Sequence, residues 1–278
     1  MSRGRHTRTG PWWLPVVGIL VIGLTAACES DGGEAKPVVS ACRAAVPSPV
    51  ASAGESSGLR ILEQGYSQVG TMASMGAVLR NETGKVAYRT LVTFEAVNAA
   101  GRTVLHESFR RFQTQVVPTV LPGASVAVGN ASLLAEATQR GDDDLDSVVV
   151  KVQVSQWLDP LGGDHGLGKV TAAVVAGSGE RSPDGKGSLE LDVASANCAN
   201  MASRGIALVF RDKSGAIVGG SLDNVPHDTC RVGGTTGEQV AMTDPEIPAV
   251  ADLDRTQATA YCDFDRPQIL PAVGAPYN

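Results

Sequence analysis

From residue 59 onward the apolar positions either alternate with polar ones or gather in short runs separated by turn formers. Gly76-Ala-Val-Leu-Arg80 runs into Asn81-Glu-Thr-Gly84, and Tyr88-Arg-Thr-Leu-Val-Thr-Phe-Glu-Ala-Val97 alternates until it meets Asn98-Ala-Ala-Gly101. A period of two places one set of side chains on one face of a sheet, so these segments are predicted to be strands. Asn first and Gly fourth suit a type I turn continued by a left-handed glycine, a common hairpin closure. Thr103-Val-Leu105 is expected to begin the return strand and Leu121-Pro-Gly-Ala-Ser-Val-Ala-Val128 another, and Ser147–Trp157 forms the longest. Later, 205–212 reads as a strand with 216–225 as its hairpin partner. The last strand, ending at Cys262, is expected to pair antiparallel to 205–212. Short strands with regular turns and no long helical period predict an all-β sandwich or barrel.

The series then recurs. Val86-Ala-Tyr-Arg89 corresponds to Met201-Ala-Ser-Arg204, and Asn98-Ala-Ala-Gly101 to Asp212-Lys-Ser-Gly215. Gly123-Ala-Ser-Val-Ala-Val128 corresponds to Gly237-Glu-Gln-Val-Ala-Met242, and Asp144-Leu-Asp146 to Asp252-Leu-Asp254. Four features in the same order at a nearly constant offset imply two tandem copies. They are placed at 59–158 and 169–266, joined by a Gly-rich linker at 159–168 and followed by a Pro-rich tail at 267–278.

Each copy resembles the FxLYD family of small immunoglobulin-like β-sandwiches found in exported lipoproteins. The residues that carry the likeness are AVLRNETGKVAYRTLVTFEAVNAAGRTV and LPGASVAV in the first copy and IALVFRDKSGAIVGG in the second. The first copy has Glu95-Ala96 where the family has an aromatic and Asp, whereas the second keeps Phe210 and Asp212 but lacks the Pro-Gly. The resemblance implies two tandem immunoglobulin-like β-sandwich domains acting as scaffold or recognition modules, without catalytic activity.

The N-terminal segment follows a different pattern. Arg3, Arg5 and Arg8 precede an apolar run, Leu14 to Leu24, that is shorter than the roughly 20 residues a membrane-spanning helix requires. A basic start, a short apolar middle and small residues before a cleavage point describe a secretory signal, assigned to 1–27. Leu24-Thr25-Ala26-Ala27-Cys28 resembles the lipobox of bacterial lipoproteins, and the chain as a whole resembles an actinobacterial surface lipoprotein. The likeness implies a diacylglyceryl thioether on Cys28, with membrane attachment at the outer face of the cell membrane. Two or three buried acyl chains hold far more firmly than one, at about 0.8 kcal/mol per buried methylene. Residues 28–58, rich in Gly, Ser, Pro and Ala, are expected to be a disordered tether.

The chain has five cysteines. Using Cys28 for lipid leaves Cys42, Cys198, Cys230 and Cys262, an even number suited to two disulfides in an oxidising compartment. Cys198, Cys230 and Cys262 are expected at one end of the second copy, within reach of Cys42, but the three possible connectivities remain open. No CxxC or close Cys/His pair favours a metal instead. The formal net charge is −6, and removal of a signal holding three arginines and no acid makes the exported chain more acidic still. With no basic patch interleaved with aromatics, nucleic acid is not an expected partner.

Candidate chemistry is sparse. Asp142, Asp144 and Asp146 have the opening spacing of a calcium loop, yet Ser147 and Gln153 stand where its glycine and glutamate belong, so a solvated turn is expected. His106, His165 and His227 lie outside the signal. Asp164-His165 and His227-Asp228 are adjacent pairs in expected loops, and no Gly-x-Ser-x-Gly elbow accompanies them. No phosphate-binding glycine motif appears either. The sequence therefore supports a lipid-anchored, non-enzymatic protein, with no catalytic residue, cofactor or metal, that binds an unidentified protein or envelope component. The alternative is a small-ligand or metal-ion binder using the crevice between copies, and the third reading is a hydrolase.

Overall fold

The computed structural model describes residues 58–158 and 167–264. The first half contains β1 (Leu59–Val69), β2 (Met72–Asn81), β3 (Val86–Val97), β4 (Thr114–Val120), β5 (Ser125–Leu133) and β6 (Ser147–Leu158). The second contains β7 (Val170–Val174), β8 (Glu180–Arg181), β9 (Gly187–Ser195), β10 (Ala202–Asp212), β11 (Ile217–Asp223), β12 (Thr235–Met242) and β13 (Ala251–Asp263). Every ladder is antiparallel. The protein is all-β, as the alternation predicts.

In the first half two three-stranded sheets, β1-β2-β5 and β4-β3-β6, face each other as a sandwich over one core. The alternation of β3 becomes alternating burial, with Val92, Phe94 and Ala96 pointing inward between half-buried neighbours. The second half is built differently: one sheet in the order β11-β10-β13-β7-β9-β12, with β8 attached to β9. Its own core gathers Leu191, Ile206, Leu208, Phe210 and Val240. The last strand pairs antiparallel with β10, as expected, with Ala207 opposite Thr259.

The repeated turns match. Gly101 N donates to Asn98 O at 2.8 Å and Gly215 N to Asp212 O at 3.0 Å, each glycine at positive φ. In both turns the first side chain closes the loop: Asn98 Oδ1 accepts from the amides of Ala100 and Arg102, Asp212 Oδ1 from those of Ser214 and Ala216. The return strand expected at Thr103–Leu105 does not form a ladder. Thr103 and Leu105 make only isolated bridges, to Val97 and Leu134. His106 N donates to Leu133 O, which draws the chain off the sheet into the 3-10 turn Glu107–Phe112, and β4 takes the place beside β3.

The two halves are pressed together. In β2 every residue from Met72 to Leu79 is buried, because sheet β3-β4-β6 covers one face and the second half covers the other. A strand buried on both faces loses its alternation, which is why MASMGAVL reads as a nearly continuous small-apolar run. Gly65, Gly76 and Gly129 stand side by side across β1, β2 and β5, paired in register. β11 lies over this row, crossing the strands beneath it, with Ile217 above Gly65, Gly219 above Gly76 and Ser221 above Gly129. Ser67 Oγ donates to Val218 O at 2.6 Å, while Ser74 Oγ donates to Gly220 O at 3.1 Å and accepts from Gly220 N at 3.0 Å. Tyr261 Oη reaches across to Ala127 O at 3.0 Å, and burial pushes its phenol pKa well up.

Candidate functional site at the junction of the halves

Two arginines, one from each half, meet on one carboxylate. Arg89 sits in β3 opposite Pro118 at a left-handed φ of 51°, which aims its side chain out of the normal strand direction. In β10 the register slips between Ser203 and Ile206, where Gly205, the residue after Arg204, stands at φ 106°. Both guanidiniums converge on Asp263 at the end of β13, Arg204 Nε at 3.3 Å from Oδ2 and an Arg89 terminal nitrogen at 4.0 Å. Tyr88 Oη donates to Asp263 Oδ1 at 3.2 Å. Burial, reinforced by the charge of Asp263, raises the Tyr88 pKa. Asp263 is 2 % exposed, so a charge that would be costly alone is held by two cations and a hydroxyl. This cluster joins the halves, its carboxylate buried and its two guanidiniums partly exposed.

Cys230 and Cys262 form a disulfide with Cα atoms 5.5 Å apart. Cys198 is also disulfide-bonded, and Met201 N donates to Cys230 O at 3.0 Å, so all three cysteines lie at the same end of the second half. Cys28 and Cys42 lie outside the described residues, as do His165 and Asp164.

The adjacent pair His227-Asp228 does not interact as a pair. His227 Nε2 lies 3.0 Å from Asp223 Oδ2 and its Nδ1 2.7 Å from Glu238 Oε1, whereas Asp228 pairs with Arg231 at 2.9 Å. Asp223, four residues back at the end of β11, was legible as an i−4 neighbour; Glu238 comes from β12 and was not. His106 caps the turn that follows it, its Nδ1 accepting from Ser108 N at 3.3 Å. In the acidic loop Asp142 pairs with Arg140 at 3.0 Å. Asp143 accepts both bonds from the Asn98 amide and lies 3.9 Å from Arg102. The carbonyl of Asp146 accepts from Tyr66 Oη. Among the described residues no three His, Cys, Asp or Glu side chains are grouped to hold a metal ion.

Two clefts open where the halves meet. One, about 370 Å³, runs between β5 and β13 under Leu167–Lys169 and is lined largely by small residues and main chain. Asn197 Oδ1 there accepts from Gly168 N at 2.9 Å, and its buried Nδ2 lacks a partner. The other, about 330 Å³, has Phe109, Phe112, Gln115 and Asn130 on the first-half side and Leu222, Asn224, Asp244 and Glu246 on the other. Glu246 accepts a hydrogen bond from Ser221 Oγ. Burial, aided by the charges of Asp244 and Asp223 and opposed by that hydrogen bond, pushes its carboxyl up to about 7. Sequence reasoning passed over Asp244-Pro-Glu246, whose only signal is two acids beside a proline in a loop. Comparison of the chain with family models, curated proteins and solved structures returns no match to any of them.

Proposed function

We propose that the protein is a non-enzymatic, lipid-anchored recognition module on the outer face of a bacterial cell membrane, built from two immunoglobulin-like copies of the FxLYD type. The observation that carries this reading is the Cys230–Cys262 disulfide. Structural disulfides belong to exported proteins, and the same chain opens with a signal-like segment ending at Cys28. Cys42 is then the partner left for Cys198. Support for duplication comes from the matched turns at Asn98 and Asp212 and from the convergence of Arg89 and Arg204 on Asp263. Among the described residues β12 is the end strand of its sheet, an edge to which an extended partner segment can add a strand. In this reading the partner is a protein or envelope component, and neither nucleic acid nor a cofactor takes part.

The test is export of Cys28→Ser in a bacterium that processes lipoproteins. The expected result is loss of the acyl mass increment and movement of the protein from the membrane to the soluble fraction. An unchanged mature mass and unchanged partitioning reject the anchor.

A further inference from the structure

The disulfide-bonded cysteines of the second half differ in exposure. Cys230 and Cys262 are 1 % and 5 % exposed, and their bond ties the 3-10 turn Asp228–Cys230 to the end of β13 inside the body. Cys198 is also disulfide-bonded, but it is exposed, in the turn between β9 and β10. That turn is held by other contacts. Asn197 N donates to Ser195 Oγ at 3.3 Å, and Asn197 Oδ1 accepts from Gly168 N at 2.9 Å. Asn200 Oδ1 accepts from Val232 N at 2.9 Å, and Met201 N donates to Cys230 O at 3.0 Å. Hydrogen bonds on both sides of Cys198 therefore fix the main chain, and its own bond ties the turn to a segment beyond it. Cys230 and Cys262 are joined to each other, so the five cysteines leave Cys28 or Cys42 as the partner of Cys198. The lipid reading uses Cys28, and the assignment to Cys42 rests on that reading.

We propose that the Cys42–Cys198 bond is a site of thiol–disulfide exchange, a clasp on the tether that a dithiol opens while Cys230–Cys262 stays closed. Exchange requires a thiolate to reach a sulfur, so exposure selects which bond reacts. The first thiolate of the dithiol attacks one sulfur of the bond, and the other cysteine leaves as a thiolate and takes up a proton. The second thiol, deprotonated, attacks the mixed disulfide, frees the remaining cysteine and closes the reductant's own disulfide. The protein gains two electrons and two protons, and the dithiol loses them. The consequence is mechanical. With the bond closed, residues 29–41 separate the lipid on Cys28 from the body; with it open, residues 29–57 do. On the coil statistics expected of that composition, the reach grows from about 20 Å to about 30 Å. The hydrogen bonds that hold the turn at Asn197 and Asn200 do not depend on the bond, so the body keeps its fold when the clasp opens.

The test uses the full chain, exported by a lipoprotein-processing bacterium and purified in detergent. Non-reducing digestion with trypsin and a glutamate-specific protease separates Cys28 from Cys42, because Glu34 and Arg43 bracket Cys42. The expected product joins the peptide 35–43 to one holding Cys198. Cys198 joined to any other cysteine overturns the proposal, and joined to Cys28 it rejects the lipid anchor as well. A Cys42–Cys198 product beside an unacylated Cys28 rejects the anchor alone. The folded protein is then treated with dithiothreitol, or with a catalytic amount of a reduced Cys-x-x-Cys protein, and alkylated at intervals. Cys42 and Cys198 are expected to label at least about tenfold faster than Cys230 and Cys262, because a buried bond must await local opening. Reaction with both reductants makes the partner a protein dithiol, and reaction with dithiothreitol alone makes it a small one. The near-ultraviolet circular dichroism should be unchanged after the fast phase, and Cys42→Ser with Cys198→Ser should give the same spectrum without fast labelling. Equal labelling rates for the two bonds, or loss of the folded spectrum when the first opens, overturns the proposal.

Discussion

Substituting Gly129 by alanine tests the packing on which the whole body depends. An ideal Cβ at this position falls 2.1 Å from Leu208 O, 2.3 Å from Ser221 N and 2.4 Å from Ser221 O. All three are main-chain atoms of the opposing layer, so no side chain can swing aside. Each distance is about 1 Å short of ordinary contact, and a gap of 0.5–1 Å already forfeits a quarter to a half of the dispersion well for every atom pair it separates. Overpacking a core typically costs about 1–3 kcal/mol, and here the obstruction is rigid on both sides, so the upper end of that range applies. Alanine's advantage over glycine in a strand returns at most about 1 kcal/mol. The net loss is therefore about 2–3 kcal/mol, which at ~2–4 °C per kcal/mol for a body of this size lowers Tm by roughly 4–12 °C. Gly84→Ala is the control, since a Cβ there meets nothing within 4 Å and its φ lies outside the left-handed region. Differential scanning calorimetry of both variants decides the matter. A Gly129→Ala protein melting within 2 °C of the parent would falsify the close approach of the layers.

Three further outcomes follow from the junction. Glu246 has a folded pKa of about 7 against 4.5 as its ordinary value, so the folded state keeps its proton longer and stability from this group falls as pH rises from 4.5 through 7. Glu246→Gln should remove that slope and stabilise the protein at pH 8.5, by up to about 3 kcal/mol at 1.36 kcal/mol per unit, with no gain at pH 4.5; urea melts at the two pH values measure it. Asp263→Asn leaves Arg89 and Arg204 facing a neutral amide in a buried site and should cost about 2–4 kcal/mol, with Tyr88→Phe costing about 1 kcal/mol, both read from denaturant midpoints. Cys230→Ala with Cys262→Ala opens a loop of sequence separation 32 and should lose about 3–4 kcal/mol on the chain-entropy account, whereas an unchanged midpoint in the double variant would show that the bond adds nothing.

How much of this was readable in advance depends on where each signal resides. β3 and β10 were legible because their patterns are local, and so were the turns at Asn98 and Asp212, whose chemistry sits within four residues. The pairing of the last strand with β10 followed from the antiparallel sandwich expected for this half. The strand after Gly101 was misread because a good turn promises a partner without saying which segment arrives first, and here β4 displaces the nearer one. Gly76 was visible only as the start of an apolar run. Its meaning depends on Gly65 and Gly129 lying beside it, and that is a matter of register between strands distant in sequence. The contact of His227 with Glu238, the convergence on Asp263 and the acidic cleft were hidden for the same reason: each joins side chains from separate strands or halves. Cysteine parity, by contrast, rests on composition alone and needed no register.

The glycine row also decides what the smallest heritable unit of this protein is. Neither half of the chain is a spare part. Cut away from β11, the β1-β2-β5 sheet would present a flat strip of bare peptide groups and small apolar side chains to water, a surface ready to recruit β-strands from any passing chain. Shuffling either half into another protein, or truncating the chain between them, should therefore produce aggregates and not a working half.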